Sequence, residues 1–312
     1  MFYFMKRFLS ALLLFALFFY VFSHPSDAFI AAQSGLHLWF DTLIPTLLPT
    51  MIFSNLLIQL DLVKYLVRFF SPVTSRLMHL STYGTYALLI GFLCGFPMGA
   101  KTISDLERNG QLSKEEASYL LPFINNVSPM FLMNIVVFQT LKDASYLIPT
   151  LLIVYGAPII YGILTNQSYR RTISSADTVY KKQASKIQVR FELIDACIMN
   201  AVFTILKLGS YVILFSILSR LIQSLPTANI FLQSFFVGSM ELTNGIAFIA
   251  TQSLPFTQKY FFLCMICVWG GFCALAQTQS VLSSGLLSIG AYIKARLMIC
   301  LIACLLTCCF LF

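Results

Sequence analysis

The amino-acid sequence predicts an all-α multi-pass membrane protein: inverted repeats with two re-entrant helical hairpins and broken transmembrane helices. Three observations lead there. Of the 312 residues 58% are apolar and 10% charged, with a mean hydropathy of +0.83, and so few charges cannot cover a water-soluble domain of this size. Long apolar runs recur along the chain, among them 8–22, 146–164, 211–218 and 297–312. Two further runs are interrupted by Gly and Pro or by polar residues in corresponding positions of the two halves.

Taken in order, Lys6 and Arg7 precede about fifteen apolar residues and a Ser26-Asp27-Ala28 tail, a pattern shared by cleavable signal peptides and first spans. Residues 1–27 are read as an uncleaved membrane anchor. Residues 28–165 form the first repeat. It opens with Ala28 to Phe40, whose His37 and Trp39 fit a helix lying in the membrane interface. A span from about Thr42 to Leu60 follows, which Pro45 and Pro49 should kink. Leu62 to Leu80, with Lys64, Arg68 and Arg76, suits the inner membrane surface.

Tyr83 to Asn109 is apolar but broken by Gly91, Gly95, Pro97 and Gly99. A re-entrant hairpin fits it better than a crossing, because irregular backbone is tolerated at membrane depth where protein or a watery cavity surrounds it. Ser113 and Glu116 form a capping box for the next helix, which is interrupted at Asn125-Asn126-Val127-Ser128-Pro129. A span from about Tyr146 to Leu164 closes the repeat.

Residues 166–195 are a basic linker and 196–312 the second repeat. The latter holds a span from about Cys197 to Ile222, a Gly-interrupted run from Phe231 to Ala250, a span from Tyr260 broken at Gly270-Gly271, and a last span ending at Phe312. Gly95-Phe96-Pro97-Met98-Gly99 falls opposite Glu241-Leu242-Thr243-Asn244-Gly245, and the Asn125 break opposite Gly271, at one offset of about 146 residues.

A topology of seven crossings and two hairpins, with the N-terminus inside, places sixteen of the twenty Lys and Arg residues on the cytoplasmic side, Arg296 among them. Lys142, Arg220 and Lys259 fall outside and Lys207 in a span. The N-terminus and central linker are then cytoplasmic, and the two hairpins enter from opposite faces. The net charge of +8 therefore reports orientation, with the lipid bilayer as partner and no nucleic acid. The nine cysteines lie in apolar runs as small hydrophobes, and the Cys264-Cys267 pair lacks a second pair or a nearby His for metal or redox chemistry.

Glu241 is the one carboxylate side chain from Cys197 to the C-terminus and stands in an apolar stretch, where an acid is costly and usually functional. It binds a coupling cation, Na+ or H+, or receives a donor group of a solute; the structural alternative is pairing with Lys207 or capping a broken helix. Thr243, Asn244 and Gly245 add a hydroxyl, an amide and flexible backbone at the same tip. Gly95, Pro97 and Gly99 shape the other tip, with backbone donors at a helix start, and Lys101 either attracts an anion or snorkels to the surface. Asn125, Asn126 and Ser128 face the same cavity or glue helices together, and Gln277 follows the matching break. His24, His37 and His79 have no ligand spacing, and no Ser/His/Asp set or phosphate loop is present, so the chain is read as a protein that moves or senses something and not as an enzyme.

Gly91 to Lys101 (GFLCGFPMGAK), Asn125 to Phe131 (NNVSPMF), Glu241 to Gly245 (ELTNG) and Trp269 to Gln277 (WGGFCALAQ), in this order and spacing, resemble the YlbJ-like sporulation integral membrane proteins. These contain the nucleoside-recognition or Gate domain, which is related to concentrative nucleoside transporters. The resemblance spans roughly Ala32 to the C-terminus. It implies a transporter-like fold, a binding role for Glu241 and the two Asn, and, in spore formers, a role in making the spore envelope or loading a small solute such as dipicolinate. Similar proteins tend to carry His two residues before Gln277, where this chain has Leu275.

The resulting expectation is a transporter of a small polar or anionic aromatic metabolite, nucleoside-like or dipicolinate-like, that moves one repeat against the other around a midplane site. A homo-oligomer is compatible with it. The alternative is a non-transporting Gate-domain scaffold or sensor that recruits a partner protein.

Overall fold

A computed structural model describes residues 15, 17–60, 62–173, 191–226, 229–282 and 289–311. The expected anchor lies mostly, and the expected linker largely, outside the described residues. Six helical segments within them are long and apolar enough to cross a membrane: Pro25–Gln59, Lys114–Leu141, Ala144–Tyr169, Phe191–Ser224, Phe256–Val281 and Ile289–Leu311. They match the six crossings expected after the anchor.

The first segment corrects the expectation of an interfacial helix followed by a separate span. Helix α1 (Pro25–His37) passes through a π-helical turn (Leu38–Leu43) straight into α2 (Ile44–Gln59). Pro45 has no N–H to offer and its ring would clash with the preceding turn. The widened turn solves this by pairing the Ile44 N–H with the Trp39 carbonyl, five residues back.

Short helices α3 (Val63–Leu66) and α4 (Ser71–Met78) lead to α5 (Thr82–Cys94), which is bent by 100° from α4. Helix α6 (Met98–Arg108) returns from it, and α7 (Lys114–Ile124) and α8 (Pro129–Phe131, running into a π-helical stretch Leu132–Leu141) form the interrupted helix. Helix α9 (Leu147–Ile173) closes the first half, running about two turns beyond its expected end. In the second half, α10 (Phe191–Ser224) precedes the short pair α11 (Ile230–Met240) and α12 (Leu242–Thr251), the interrupted pair α13 (Phe256–Trp269) and α14 (Gly271–Val281), and α15 (Ile289–Leu311).

One order of elements thus occurs twice: long helix, hairpin, interrupted helix, closing helix. The packing repeats as well. In each half the hairpin arms pack on each other, the second arm packs on the first part of the interrupted helix, and that part packs on the closing helix. The two closing helices meet, and so do the two long ones. The long pair runs antiparallel, with Asp27 on Arg220 at 2.7 Å, the Trp39 indole N–H donating to the Ile205 carbonyl at 2.8 Å, and Asn55 Nδ2 donating to the Cys197 carbonyl at 3.2 Å.

Helix starts follow local chemistry. Ser81, Ser113 and Asn229 accept backbone N–H groups of the first turns of α5, α7 and α11. The capping box expected at Ser113 is half formed. Ser113 Oγ does accept the Glu116 N–H, but the Glu116 carboxylate turns to the neighbouring helix and accepts the Ser81 N–H at 2.7 Å. That hydrogen bond ties the starts of α5 and α7 together.

Large apolar side chains such as Phe53, Leu152, Phe203 and Leu305 lie exposed on the outer faces, as a lipid-facing surface requires. Inside, one main cluster joins both hairpins, the interrupted helices and the closing helices. A second, smaller cluster of Leu47, Met51, Met98, Ala201, Ile205 and Leu208 sits between α2, α6 and α10.

Candidate functional site

The two hairpin turns and the two helix breaks converge. At the first turn Gly95 (φ +86°) approaches the Ser128 backbone so closely that an added Cβ would stand 2.8 Å from its nitrogen. Phe96 extends from the same turn over Gly270 (φ +82°), whose added Cβ would meet the ring at 2.6 Å. Positive φ and lack of space together demand glycine at both positions. The second turn touches the second break through the Met240 carbonyl, beside Gly271.

Between these elements lies a cavity of about 180 Å³. Gly95 and Phe96 come from the first turn, Val127 and Ser128 from the first break, Glu241 to Thr243 from the second turn, and Gly270, Cys273, Ala274 and Gln277 from the second break. Thr42, Thr46 and Leu47 of the first long helix, Phe131 and Asn134 beyond the first break and Val212 of the second long helix add to the wall. Glu241 is the one charged side chain among the described residues of this lining.

Glu241 is buried at 5% exposure. Its Oε2 accepts the Asn244 N–H at 2.8 Å and so caps α12. Capping and lining are both realised, because the backbone is extended at Glu241 and the carboxylate folds over the first turn of its own helix while remaining in the cavity wall. Lys207 makes no pair with it; the ammonium instead reaches the Ser280 carbonyl at 3.5 Å.

Four helices begin at the cavity. Their first-turn positions follow Pro97, Ser128, Glu241 and Gly270. Unpaired N–H groups and aligned peptide dipoles make such ends electropositive. Ser128 Oγ accepts the Phe131 N–H and Glu241 caps its own helix, while the starts at Pro97 and Gly270 carry no side-chain cap.

Of the residues singled out from sequence, Gly95, Ser128, Glu241, Thr243 and Gln277 line the cavity. The others are placed around it. Pro97 and Gly99 belong to the start of α6, where Gly99 lies against the Ile124 carbonyl. Gly245 packs on Gly238 and holds the arms of the second hairpin together. Asn244 Nδ2 donates to Ser216 Oγ at 2.9 Å, fixing that hairpin to α10. Asn125 Nδ2 donates to Thr278 Oγ1 at 2.6 Å and to the Tyr292 hydroxyl at 3.1 Å, linking the two halves. Lys101 turns from the cavity and donates to Asp105 Oδ2 and Asn200 Oδ1, both at 2.7 Å.

Sequence reasoning missed Arg296, counting it among the cytoplasmic surface charges. It is fully buried. Nη1 donates to Asn126 Oδ1 at 3.1 Å and to the Pro122 carbonyl at 3.4 Å, and Nη2 donates to the Val268 carbonyl. Pro122 and Val268 stand at the C-terminal ends of α7 and α13, so one cation serves the electronegative ends of both interrupted helices. The guanidinium also lies over the Phe96 ring at 5.3 Å. A sequence signal existed in its i, i+4 spacing from Tyr292, whose hydroxyl joins the same break through Asn125.

No family model and no solved structure matches the chain. It is similar to the sporulation integral membrane protein YlbJ of Bacillus subtilis (strain 168), with 26% identity over 311 aligned positions covering 89% of this chain and 76% of the relative.

Proposed function

We propose that this chain, an integral membrane protein similar to YlbJ, transports a small polar aromatic metabolite, taken up in the cavity between the two hairpin turns. The observation that carries this reading is the convergence of both turns and both breaks on one cavity with Glu241 in its wall. Interrupted helices in matching positions of two repeats are the usual construction of a secondary transporter's site.

The cavity volume of about 180 Å³ lies below the ~300–1,000 Å³ of drug-sized pockets and suits a small metabolite. Phe96 and Phe131 supply flat apolar walls, and Ser128, Asn134, Thr243 and Gln277 supply polar groups. The uncapped helix starts at Pro97 and Gly270 offer donors to an anionic or carbonyl oxygen, which accommodates nucleoside-like and dicarboxylate-like solutes alike. Glu241 takes the coupling cation, Na+ or H+. The two repeats are related by inversion, and the central linker is cytoplasmic. The solute is carried and not transformed, and in a spore former it serves the spore.

The test uses purified protein and proteoliposomes. Nucleosides and pyridine dicarboxylates are screened for a rise in the unfolding temperature, since a ligand at 100 times its Kd stabilises by about 2.7 kcal/mol. A solute that does so should be accumulated by wild-type vesicles and not by Glu241→Gln vesicles. Undiminished uptake by that variant would refute the site, and co-purification of a partner protein without any solute effect would favour a scaffold.

A further inference from the structure

A second cavity lies at the far end of α2 and α10, two helices that also wall the first, and is completed by α6, which starts just after the first turn. Asn55 and Gln59 of α2, Asp105 and Arg108 of α6, and Cys197 and Asn200 of α10 line it. A larger share of its wall is polar than in the central one, and Arg108 and the neighbouring Asn109 are exposed, so it opens outward. Lys101, paired with Asp105 and Asn200, stands beside it.

The smaller apolar cluster stands between the two cavities, and helical spacing shows how. On α10, Cys197, Ala201, Ile205, Leu208 and Val212 recur at steps of three and four and share one face. The first belongs to the polar cavity, the last to the central one, and the three between are buried in the cluster. On α2 the same holds for Leu47, Met51 and Asn55. On α6, Met98 follows the turn that reaches the central cavity and precedes Asp105 by two turns. On α2 and α10 one face therefore has cavity wall at both ends and a sealed middle, and Met98 of α6 closes the seal from the third side. Met51 and Met98 are the largest side chains of the seal, at 0% and 1% exposure, and methionine is the apolar residue that most readily changes shape.

We propose that the polar cavity is the vestibule of the solute's route, and that the cluster centred on Met51 and Met98 is the closed gate between vestibule and central cavity. This rests on the transport reading above. Asn55, Gln59 and Asn200 supply amides to a polar solute shedding water, and Arg108 beside Asp105 offers either sign of charge. A rearrangement of two thioether side chains, or a shift of α6 against α2 and α10, joins the cavities. Apolar constrictions of this kind close a path by excluding water.

The experiment measures passive efflux of labelled erythritol from proteoliposomes. Met51→Ala/Met98→Ala should release it about tenfold faster than wild type, because the seal no longer excludes water. In a Cys94→Ser/Cys273→Ser background, which removes the thiols of the central cavity, reaction of Cys197 with a bulky charged methanethiosulfonate should return efflux to the wild-type rate, and Cys197→Ser should abolish that block. Met51→Ala alone gives the same readout at smaller size should the double variant fail to insert. Leu120→Ala, a comparable deletion in the main core, is the control. Unchanged efflux from inserted variant, equal leakage from the control, or a block that persists in Cys197→Ser would overturn the route. Absence of leakage with uptake still dependent on Glu241 removes the gate alone; loss of that dependence removes the transport reading and leaves the efflux result standing.

Discussion

Replacing Arg296 by methionine tests whether the guanidinium holds the two helix breaks together. The side chain makes two well-placed hydrogen bonds, to Asn126 Oδ1 and the Val268 carbonyl, and a longer one to the Pro122 carbonyl. A hydrogen bond to a charged group contributes about 1.5–3 kcal/mol, so the well-placed pair amounts to about 3–6 kcal/mol before any compensation. Methionine fills most of the volume and removes the cost of burying a charge, which offsets part of the loss and leaves about 2–4 kcal/mol. Lysine keeps the charge but has no planar fork to serve two carbonyls on different helices, so Arg296→Lys should recover less than half of the deficit. Reversible unfolding in mixed micelles, followed by circular dichroism, measures both variants. A methionine variant within about 0.5 kcal/mol of wild type would refute the reasoning, because unpaired carbonyls at both breaks should cost several times that.

Four further outcomes are expected. Glu241→Gln retains an acceptor for the Asn244 N–H and should unfold within about 1 kcal/mol of wild type while losing uptake in proteoliposomes. Gly245→Ala places a Cβ 2.4 Å from the Gly238 Cα, so the arms of the second hairpin must part, with a cost of about 1–3 kcal/mol visible as a lower unfolding temperature. Trp39→Phe removes the bond to the Ile205 carbonyl and should cost about 1 kcal/mol by the same assay. Glu116→Leu leaves the half-buried Ser81 N–H without its acceptor, and about 1–2 kcal/mol should be lost, with hydrogen exchange accelerated at the start of α5.

The helix breaks were legible because Gly and Pro act locally: Gly95, Ser128-Pro129 and Gly270 interrupt the backbone whatever surrounds them. Glu241 was legible because a carboxylate in an apolar run has few uses, although its cap on α12 depends on an extended backbone that the letters do not announce. Lys101 carried an i, i+4 partner in Asp105, but Asn200, its other acceptor, is 99 residues away. Arg296 was misread for a related reason. Two of its three acceptors are backbone carbonyls exposed by breaks elsewhere, and a carbonyl has no letter. The π turn before Pro45 likewise answers the proline by a change of pitch that the letters do not announce.

Arg296 also sets an order of events during biosynthesis. The Pro122 carbonyl waits for a guanidinium 174 residues further along the chain. At roughly 5–20 residues per second, translation leaves that end of α7 without its cation for about 10–35 s. The half made first therefore inserts with an open joint, and α15, made 174 residues later, closes it. A nascent chain stopped before α15 should be a ready substrate for membrane quality control, even with every earlier helix already inserted.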